Sequence, residues 1–378
     1  MNKKLIAVAI AAALAPVAAM ADSGNVVIYG QMNASIDSVD SGYASNSQRT
    51  LQINDNTSRL GFKGTEALGN GLSAVWQLES RILPDGATSS APFQGTSGSS
   101  LNTRNTFVGL TGGFGTTILG RHDTPYKLAT RNLDVFYDNI ADNRSIMGQS
   151  GVGTTFDGRQ SNVVAYISPS LSGFTGAVAY VAGAEAALTD GTSKGNAWSA
   201  MGTYANGPIF GSLAYEVHNV GSAGTGTLGL NALLADRKEK AWKLGGGYNF
   251  GDFKLGLVYE KTSDEFGGLI GKPGDDYAGH HSVYVSGAYT MGANVIKAAY
   301  TKAGDMNSVS DSGAKQWSLG FDHNMSKRTT VYALYSKLTN DNNGTYGLLV
   351  GGDTNGGVPS GHANSDPSVF SLGMKHSF

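Results

Sequence analysis

The feature that most constrains this chain is a two-residue alternation of apolar and polar side chains. In the final segment, Phe370, Leu372, Met374, His376 and Phe378 alternate with small or polar residues. Successive side chains of a β-strand point to opposite faces, so the pattern predicts strands with one apolar and one polar face. Such segments recur with the roughly nine to eleven residues that cross a bilayer at a tilt. Further examples lie at 72–79, 242–250, 253–260, 282–290 and 316–324.

The alternation alone has two interpretations. A soluble β-sandwich also alternates apolar and polar residues. In this chain, however, the polar positions include Lys243, Lys254, Glu260 and Asp322, and a packed core rejects charged side chains. A strand between lipid and water accepts them, so the pattern favours a transmembrane β-barrel.

The first residues predict export. Lys3 and Lys4 precede an apolar stretch, and residues 19–21 form a small-x-small cleavage site. We therefore expect residues 1–21 to be a signal peptide that the Sec pathway recognises and that is cleaved, leaving 22–378 as a single barrel domain. Without the two lysines the chain carries 25 basic and 29 acidic residues, a net charge of −4, so nucleic acid is not an expected partner.

Composition points the same way. The chain has no cysteine, which excludes disulfides, zinc–thiolate sites and thiol catalysis. Its 54 glycines and 17 tyrosines favour short strands and turns. After residue 21 no apolar run reaches the roughly 18 residues of a transmembrane helix, so a helical membrane protein is excluded.

The connections between the alternating segments fall into two classes. Seven are tight turns, at 68–71, 112–115, 172–173, 206–207, 251–252, 291–294 and 325–327. Eight are longer and polar, at 43–57, 82–103, 123–158, 185–196, 220–237, 264–279, 304–313 and 340–367. These connections predict an all-β fold of sixteen antiparallel strands, with short periplasmic turns and long extracellular loops. Counts of fourteen or eighteen stay open.

Several motifs resemble those of the Gram-negative general porins. They are Asn25–Gly30, Ser58–Leu72 (SRLGFKGTEALGNGL), Trp76–Glu79, Arg104–Leu110 (RNTFVGL), Phe114–Thr116, Gly120–Arg121 and the C-terminal Phe378. The resemblance implies an outer-membrane homotrimer of sixteen-stranded barrels, surrounded by lipid and lipopolysaccharide. It also implies that the third long loop, 123–158, folds inward to narrow the pore.

Three arginines are placed alike in the sequence. Arg59, Arg104 and Arg159 each follow a long polar connection at the start of a predicted descending strand. A charge there is tolerated in a water-filled lumen and costly against lipid, so we expect all three to line the pore. Arg81, Arg121 and Lys63 are second-rank candidates for the same wall.

The opposite side of the pore is expected to be acidic. The loop 123–158 carries Asp134, Asp138 and Asp142. It also has apolar residues with which to pack inside a barrel, namely Phe136, Tyr137, Ile140 and Ile146. Solvated surface charges are the alternative interpretation for any single member of this set.

These features predict a channel rather than an enzyme. No nucleophile elbow or metal-binding helix motif is present, and we expect no catalytic residue, cofactor or metal. Sixteen strands enclose an aqueous lumen, which predicts passive diffusion of ions and small hydrophilic solutes with modest, anion-leaning selectivity. The alternatives are a solute-specific porin for small organic anions and a non-channel adhesin or structural barrel.

The last residue has its own expected role. Phe378 would end the sixteenth strand at the periplasmic rim, where the first strand must pair with it to close the barrel. We therefore predict that Phe378 serves as an assembly signal.

Overall fold

The barrel predicted from the alternation is the fold of the chain. The structure is a computed structural model and describes residues 26–43, 47–84, 94–95, 98–99, 104–150, 155–183, 195–221, 234, 236–350, 353–358 and 362–378. The predicted signal peptide, residues 1–21, lies outside the described residues. Within the described part no helix is long and apolar enough to cross a bilayer.

The described strands are numbered in chain order. Strands β1 to β7 are Val27–Asp40, Arg49–Asp55, Arg59–Gly69, Leu72–Arg81, Gln94–Gly95, Gly98–Ser99 and Thr106–Gly112. Strands β8 to β14 are Gly115–Asp123, Arg159–Ile167, Phe174–Val181, Asn196–Asn206, Ile209–Asn219, Lys238–Phe250 and Phe253–Asp264. Strands β15 to β21 are His281–Met291, Asn294–Ala303, Ala314–Asn324, Thr329–Asn340, Leu348–Val350, Asp353–Val358 and Ser368–Ser377.

One antiparallel sheet forms the barrel wall. Seventeen described strands belong to it, and β1 pairs with β21 to close it. The short pairs β5–β6 and β19–β20 form separate hairpins. Strands β2 and β3 pair with the two halves of β1 and therefore share one position, so the described wall has sixteen positions, as predicted.

The shared position corrects one predicted loop. The sequence pattern assigned 43–57 to a polar connection, but Arg49–Asp55 is a strand. Its outward Leu51 and Ile53 alternate with polar neighbours, while its Asn, Asp and Thr content is that of a loop. The strand is interrupted at 56–58, where Thr57 takes a positive φ of 61°. Ladder pairing to β1 therefore outweighs the weak intrinsic strand preference of these residues.

The two faces of the wall differ as predicted. On β21, Phe370, Leu372 and Met374 are exposed on the outer face, while Val369 and Ser371 are buried on the lumen side. The same outward exposure is found across the sheet at large apolar residues. Examples are Ile36, Val108, Val164, Leu213, Leu244, Leu257, Val285 and Leu319. This apolar outer band is the surface that lipid would cover.

Connection length separates the two rims. Between described strands, the turns at 70–71, 113–114, 168–173, 207–208, 251–252, 292–293 and 325–328 lie at one rim. The long connections 41–48, 82–105, 124–158, 182–195, 220–237, 265–280, 304–313 and 341–367 lie at the other. These short connections correspond to the seven tight turns predicted between the alternating segments.

The connection 124–158, hereafter the inner loop, packs against the lumen side of the wall. It holds helix α1, Pro125–Leu128, and the 3-10 helices Arg131–Leu133 and Asn143–Ser145. A further 3-10 helix, Gly267–Ile270, lies in a different connection. Three of the four apolar residues predicted to pack inside the barrel are buried with lumen-facing residues of β1, β18 and β21, whereas Tyr137 is 40% exposed. This cluster includes Phe136, Ile140, Ile146, Val39, Leu334, Leu338 and Val369.

Candidate functional site

Four arginines lie along neighbouring strands of the wall and are called the wall arginines: Arg59, Arg81, Arg104 and Arg159. Arg59 begins β3 and faces Arg81 of β4 directly across the strand pair. Arg104 precedes β7, and Arg159 begins β9. Because β2 precedes Arg59 in the same wall position, Arg59 lies within the wall rather than at its upper end, where the loop pattern had placed it.

Carboxylates fix the first two wall arginines. Arg59 Nη1 lies 2.8 Å from Asp138 Oδ2 of the inner loop. Arg81 Nε lies 3.0 Å from Asp55 Oδ2 at the end of β2. Asn33 of β1 also donates to the Asp138 carbonyl, at 3.1 Å. The tip of the inner loop is thereby attached to the wall beside the interruption between β2 and β3.

The other two wall arginines are each held by a carboxylate of their own. Arg104 Nε donates to Glu79 Oε1 at 2.5 Å, and Tyr29 donates to the other Glu79 oxygen at 2.9 Å. Arg159 Nη2 lies 3.1 Å from Asp123, and its Nε donates to Asn105 Oδ1 at 2.6 Å. Each guanidinium is therefore held by hydrogen bonds that fix its orientation.

Two of the predicted loop aspartates, Asp134 and Asp142, are buried beside the inner loop's own arginines. Asp142 is fully buried and accepts from Arg131 Nη2 at 2.6 Å and from Arg144 Nε at 3.1 Å. Asp134 is buried, accepts from Tyr284 at 2.8 Å and lies 3.7 Å from Arg131. The structure thus places two of the three predicted pore-facing aspartates inside the loop, because its own arginines pair with them.

Burial and charge act in opposite directions on these loop carboxylates. Burial alone would raise the pKa of Asp142, but Arg131 and Arg144 outweigh it and hold that pKa well below its ordinary value. For Asp138, burial also raises the pKa, and Arg59, Arg104 and Arg144 together lower it further than burial raises it. Both carboxylates are therefore ionised at neutral pH and bind the arginines as anions.

Lys127 of α1 extends the network. Its Nζ lies 2.7 Å from Asp123 Oδ1, the carboxylate that also binds Arg159. Burial lowers the pKa of Lys127 to about 7, and the attraction of Asp123 opposes that shift only in part. This lysine changes charge near neutral pH.

Of the two remaining second-rank candidates, Lys63 lies on the strand of Arg59, and Arg121 lies on β8 beside the strand of Arg159. Lys63 of β3 stands over the Tyr29 ring, with Nζ 5.2 Å from the ring centroid. Arg121 of β8 donates to Ser161 Oγ at 2.8 Å. Arg121 lies at the register shift of β8, between Gly120 and His122.

Exposure is distributed unevenly within the ion pairs. The Arg59 side chain is 20% exposed and Asp138 6%, and Arg81 is 12% exposed while Asp55 is inaccessible. Arg104, Arg131, Arg144 and Arg159 are likewise more exposed than their described carboxylate partners. In each described arginine pair of the site, the cation is the partner nearer water.

Several members of the site were not predicted from the sequence. Arg131 and Arg144 are remote from the wall arginines along the chain and only folding of the inner loop aligns them with Asp142. The one available signal was the spacing of Arg131 and Asp134, three residues apart. Glu79 occupies a polar position of an alternating segment, and Asp123 adjoins the inner loop, so both could have been added to the candidate set.

The predicted assembly residue lies at the barrel seam. The backbone N–H of Phe378 donates to Gly30 O at 3.1 Å, and Gly30 N donates to Phe378 O at 3.0 Å. A Cβ at Gly30 would lie 2.4 Å from the Phe378 ring. The terminal residue thus pairs with β1, and its ring lies where only a glycine leaves room.

Comparison with known proteins identifies related chains. The sequence profile described as "Gram-negative porin" matches residues 7–343. Outer membrane porin protein 32 of Delftia acidovorans is 32% identical, with all of both chains covered. The major outer membrane protein P.IB of Neisseria gonorrhoeae is 30% identical over 88% of this chain and 92% of its own. The solved structure titled "Anion-selective porin from Comamonas acidovorans" has 26% identity and a TM-score of 0.74, covering 94% of this chain and all of that one.

Proposed function

Since the chain belongs to the Gram-negative porin family, we propose that its pore prefers small anions and that the wall arginines and the inner loop form the constriction that sets this preference. The protein is an outer-membrane porin, a barrel channel for passive diffusion, and not an enzyme. The preference for anions and the residues that form the constriction are what we propose in addition to family membership.

The uneven exposure of the ion pairs carries this proposal. A passing ion meets the guanidinium groups of Arg59, Arg81 and Arg104 before their buried carboxylates. Guanidinium stays ionised at any working pH, so the arrangement is permanent. The related solved porin is titled anion-selective, which supports the same sign for this chain.

The expected preference is modest. One charge acts on an ion at about 8 Å in water with roughly 0.5 kcal/mol. A Debye length of about 8 Å reduces this to roughly 0.2 kcal/mol. The same charge attracts an anion and repels a cation, so it changes their permeability ratio by about twofold. Several guanidinium groups, partly offset by their carboxylates, give a preference of a few fold.

The sign is measured directly in planar bilayers. Purified protein is inserted with a tenfold KCl gradient across the membrane, and the reversal potential is recorded. We expect a reversal potential between zero and the equilibrium potential of chloride. A reversal potential between zero and the equilibrium potential of potassium would reject the anion preference, although the protein would still be a channel.

We further propose that three copies associate, as the resemblance to general porins implies, with lipid and lipopolysaccharide around the assembly. The exposed apolar band of the barrel supplies a surface for both kinds of contact. Unheated gel electrophoresis should show a species of about three times the monomer mass. Conductance that rises in single rather than triple steps would contradict a trimer.

Residues 1–21 are proposed to be removed during export. Mass spectrometry of protein purified from outer membranes should then place the first residue at Asp22. Retention of Lys3 and Lys4 in the mature chain would contradict this.

A further inference from the structure

Glu260 of β14 lies on the lumen side of the wall beneath the inner loop and has no exposed surface. It faces Lys243 of β13 directly across the strand pair. A carboxylate at this depth is retained only when hydrogen bonds and charges compensate its loss of water. The hydrogen-bond and charge partners of Glu260 therefore indicate its role in the structure.

The two oxygens of Glu260 bind opposite parts of the inner loop. Oε2 accepts from the Tyr126 hydroxyl at 2.8 Å, close to where the loop leaves β8. Oε1 accepts from the Gly148 backbone N–H at 2.8 Å, on the returning half. One side chain thus joins both halves of the loop to one position of the wall.

Lys243 completes the attachment. Its Nζ lies 2.6 Å from Asp157, at the end of the loop, and 3.5 Å from Glu260 Oε2. The same Nζ stands 4.0 Å from the centroid of the Tyr126 ring. Lys243 is almost completely buried, so its charge serves these contacts rather than passing ions.

A neighbouring aromatic stack adjoins this attachment. Phe156 packs against Tyr126 with ring centroids 5.9 Å apart and stacks on His218 of β12 at 4.8 Å. His218 is itself held between Glu216 and Glu239. The base of the inner loop is therefore bound to three consecutive strands of the wall.

We infer that Glu260 is a positioning residue that holds the inner loop at a fixed distance from the wall arginines and so suppresses closure of the open pore. The inference rests on the proposed constriction, because it assigns the inner loop as the element that narrows the channel. Directional hydrogen bonds from a buried carboxylate fix position more narrowly than apolar contacts do.

Single-channel recordings test this role. Glu260→Ala removes both attachments, and we expect brief closures to become at least about tenfold more frequent. Glu260→Gln keeps a carbonyl oxygen that still accepts one hydrogen bond, so its effect should be smaller. Asp37→Asn is the matched control, because Asp37 is equally buried on the lumen side and bonds Asn54 of the wall, at 2.6 Å.

A double-mutant cycle separates positioning from a general loss of stability. Tyr126→Phe removes one hydrogen bond of Glu260 and keeps the ring. Its effect on closure frequency should be clear in the wild type and small in the Glu260→Ala background, since both changes remove the same bond. Fully additive effects would overturn the inference.

Folding and selectivity are read from the same samples. Unheated electrophoresis reports whether each variant forms its barrel; should Glu260→Ala not fold, Glu260→Gln and Tyr126→Phe decide. A folded Glu260 variant with wild-type closures, or an equal rise in Asp37→Asn, would overturn the inference. The reversal potential of the open level tests the anion preference separately, because closure frequency does not depend on its sign.

Discussion

At the residue scale, the buried acids and bases of the inner loop differ in how far their charged partners offset the effect of burial on their pKa. Asp142 remains an anion because Arg131 and Arg144 outweigh the effect of burial on its pKa. Lys127 has one carboxylate partner, Asp123, and faces Arg159 and Arg144 as like charges, so burial lowers its pKa to about 7. The arginines of the site thus keep their charge at all working pH values, whereas the charge of Lys127 changes near pH 7.

Lys127 predicts a pH-dependent selectivity. The lysine is protonated below its pKa of about 7 and loses its charge as pH rises through that value. Raising the pH from 6 to 8.5 should therefore reduce the anion preference, by about twofold for the loss of one charge. Reversal potentials at the two pH values measure this fall in anion preference. The Lys127→Met variant should show no such pH dependence, and the same fall in that variant would assign it to another group.

Asp142 predicts where the inner loop is fragile. Asp142→Asn leaves two buried guanidinium groups without their shared anion, a cost of about 3–5 kcal/mol. Hydrogen exchange of the Asp138 amide, which donates to Asp142 at 3.1 Å, should then accelerate by at least about a hundredfold. Asp40→Asn is the control, because its partner Arg49 is 61% exposed and such a pair contributes little.

The sign of the pH effect at Asp142 follows from the same pKa. A carboxyl whose pKa is lower in the folded chain than its ordinary 3.8 stabilises the fold fully above that value. The contribution is lost as pH falls toward the folded pKa. Slow exchange of the Asp138 amide in Asp142→Asn at neutral pH would contradict this account of the loop.

At the scale of elements, the strands were predictable from the sequence, whereas the ion pairs within the inner loop were not. A membrane strand has lipid on one face, so every second residue must be apolar, as Phe370, Leu372 and Met374 are. Strand β2 was missed because it offers only Leu51 and Ile53 to lipid among residues typical of loops. Its pairing with β1 is a property of the sheet and not of the segment.

The site divides in the same way. The wall arginines could be found because a charge on a predicted strand has only one acceptable face. The orientation of Asp134 and Asp142 could not, because it depends on how the inner loop folds back on Arg131 and Arg144. Of the three predicted loop aspartates, Asp138 is the one that pairs with a wall arginine, Arg59.

The seam between β1 and β21 predicts an assembly phenotype. Phe378→Ala removes the ring that packs over Gly30, so a smaller fraction of the protein should reach the folded barrel. Conductance of the channels that do form should stay unchanged, since Phe378→Ala changes no charge of the lumen. The folded fraction on unheated gels measures this.

Phe250→Ala provides the control for the seam. Phe250 is exposed to the same extent as Phe378, 44% against 43%, and ends a strand at the turn rim, but it lies away from the seam. Normal assembly of Phe378→Ala, or equal impairment by Phe250→Ala, would show that the terminal aromatic has no special role.

At the scale of the whole molecule, the barrel separates two tasks between its two faces. The apolar outer band meets lipid, and the lumen carries the charged groups that a packed core would reject. Stability comes from closure of the sheet in a chain without cysteine. The inner loop is bound to this wall, and the arginines of the site are more exposed to water than the carboxylates that bind them.

The arginine constriction is tested most directly by comparing permeability ratios of wild type and Arg104→Gln/Arg159→Gln. Two charges fewer should lower the chloride-to-potassium ratio about fourfold. The control, Lys302→Gln/Lys315→Gln, removes the same charge from an exposed cross-strand pair on the outer face and should leave the ratio unchanged. An unchanged ratio in the arginine variant, or an equal fall in the lysine variant, would contradict the account.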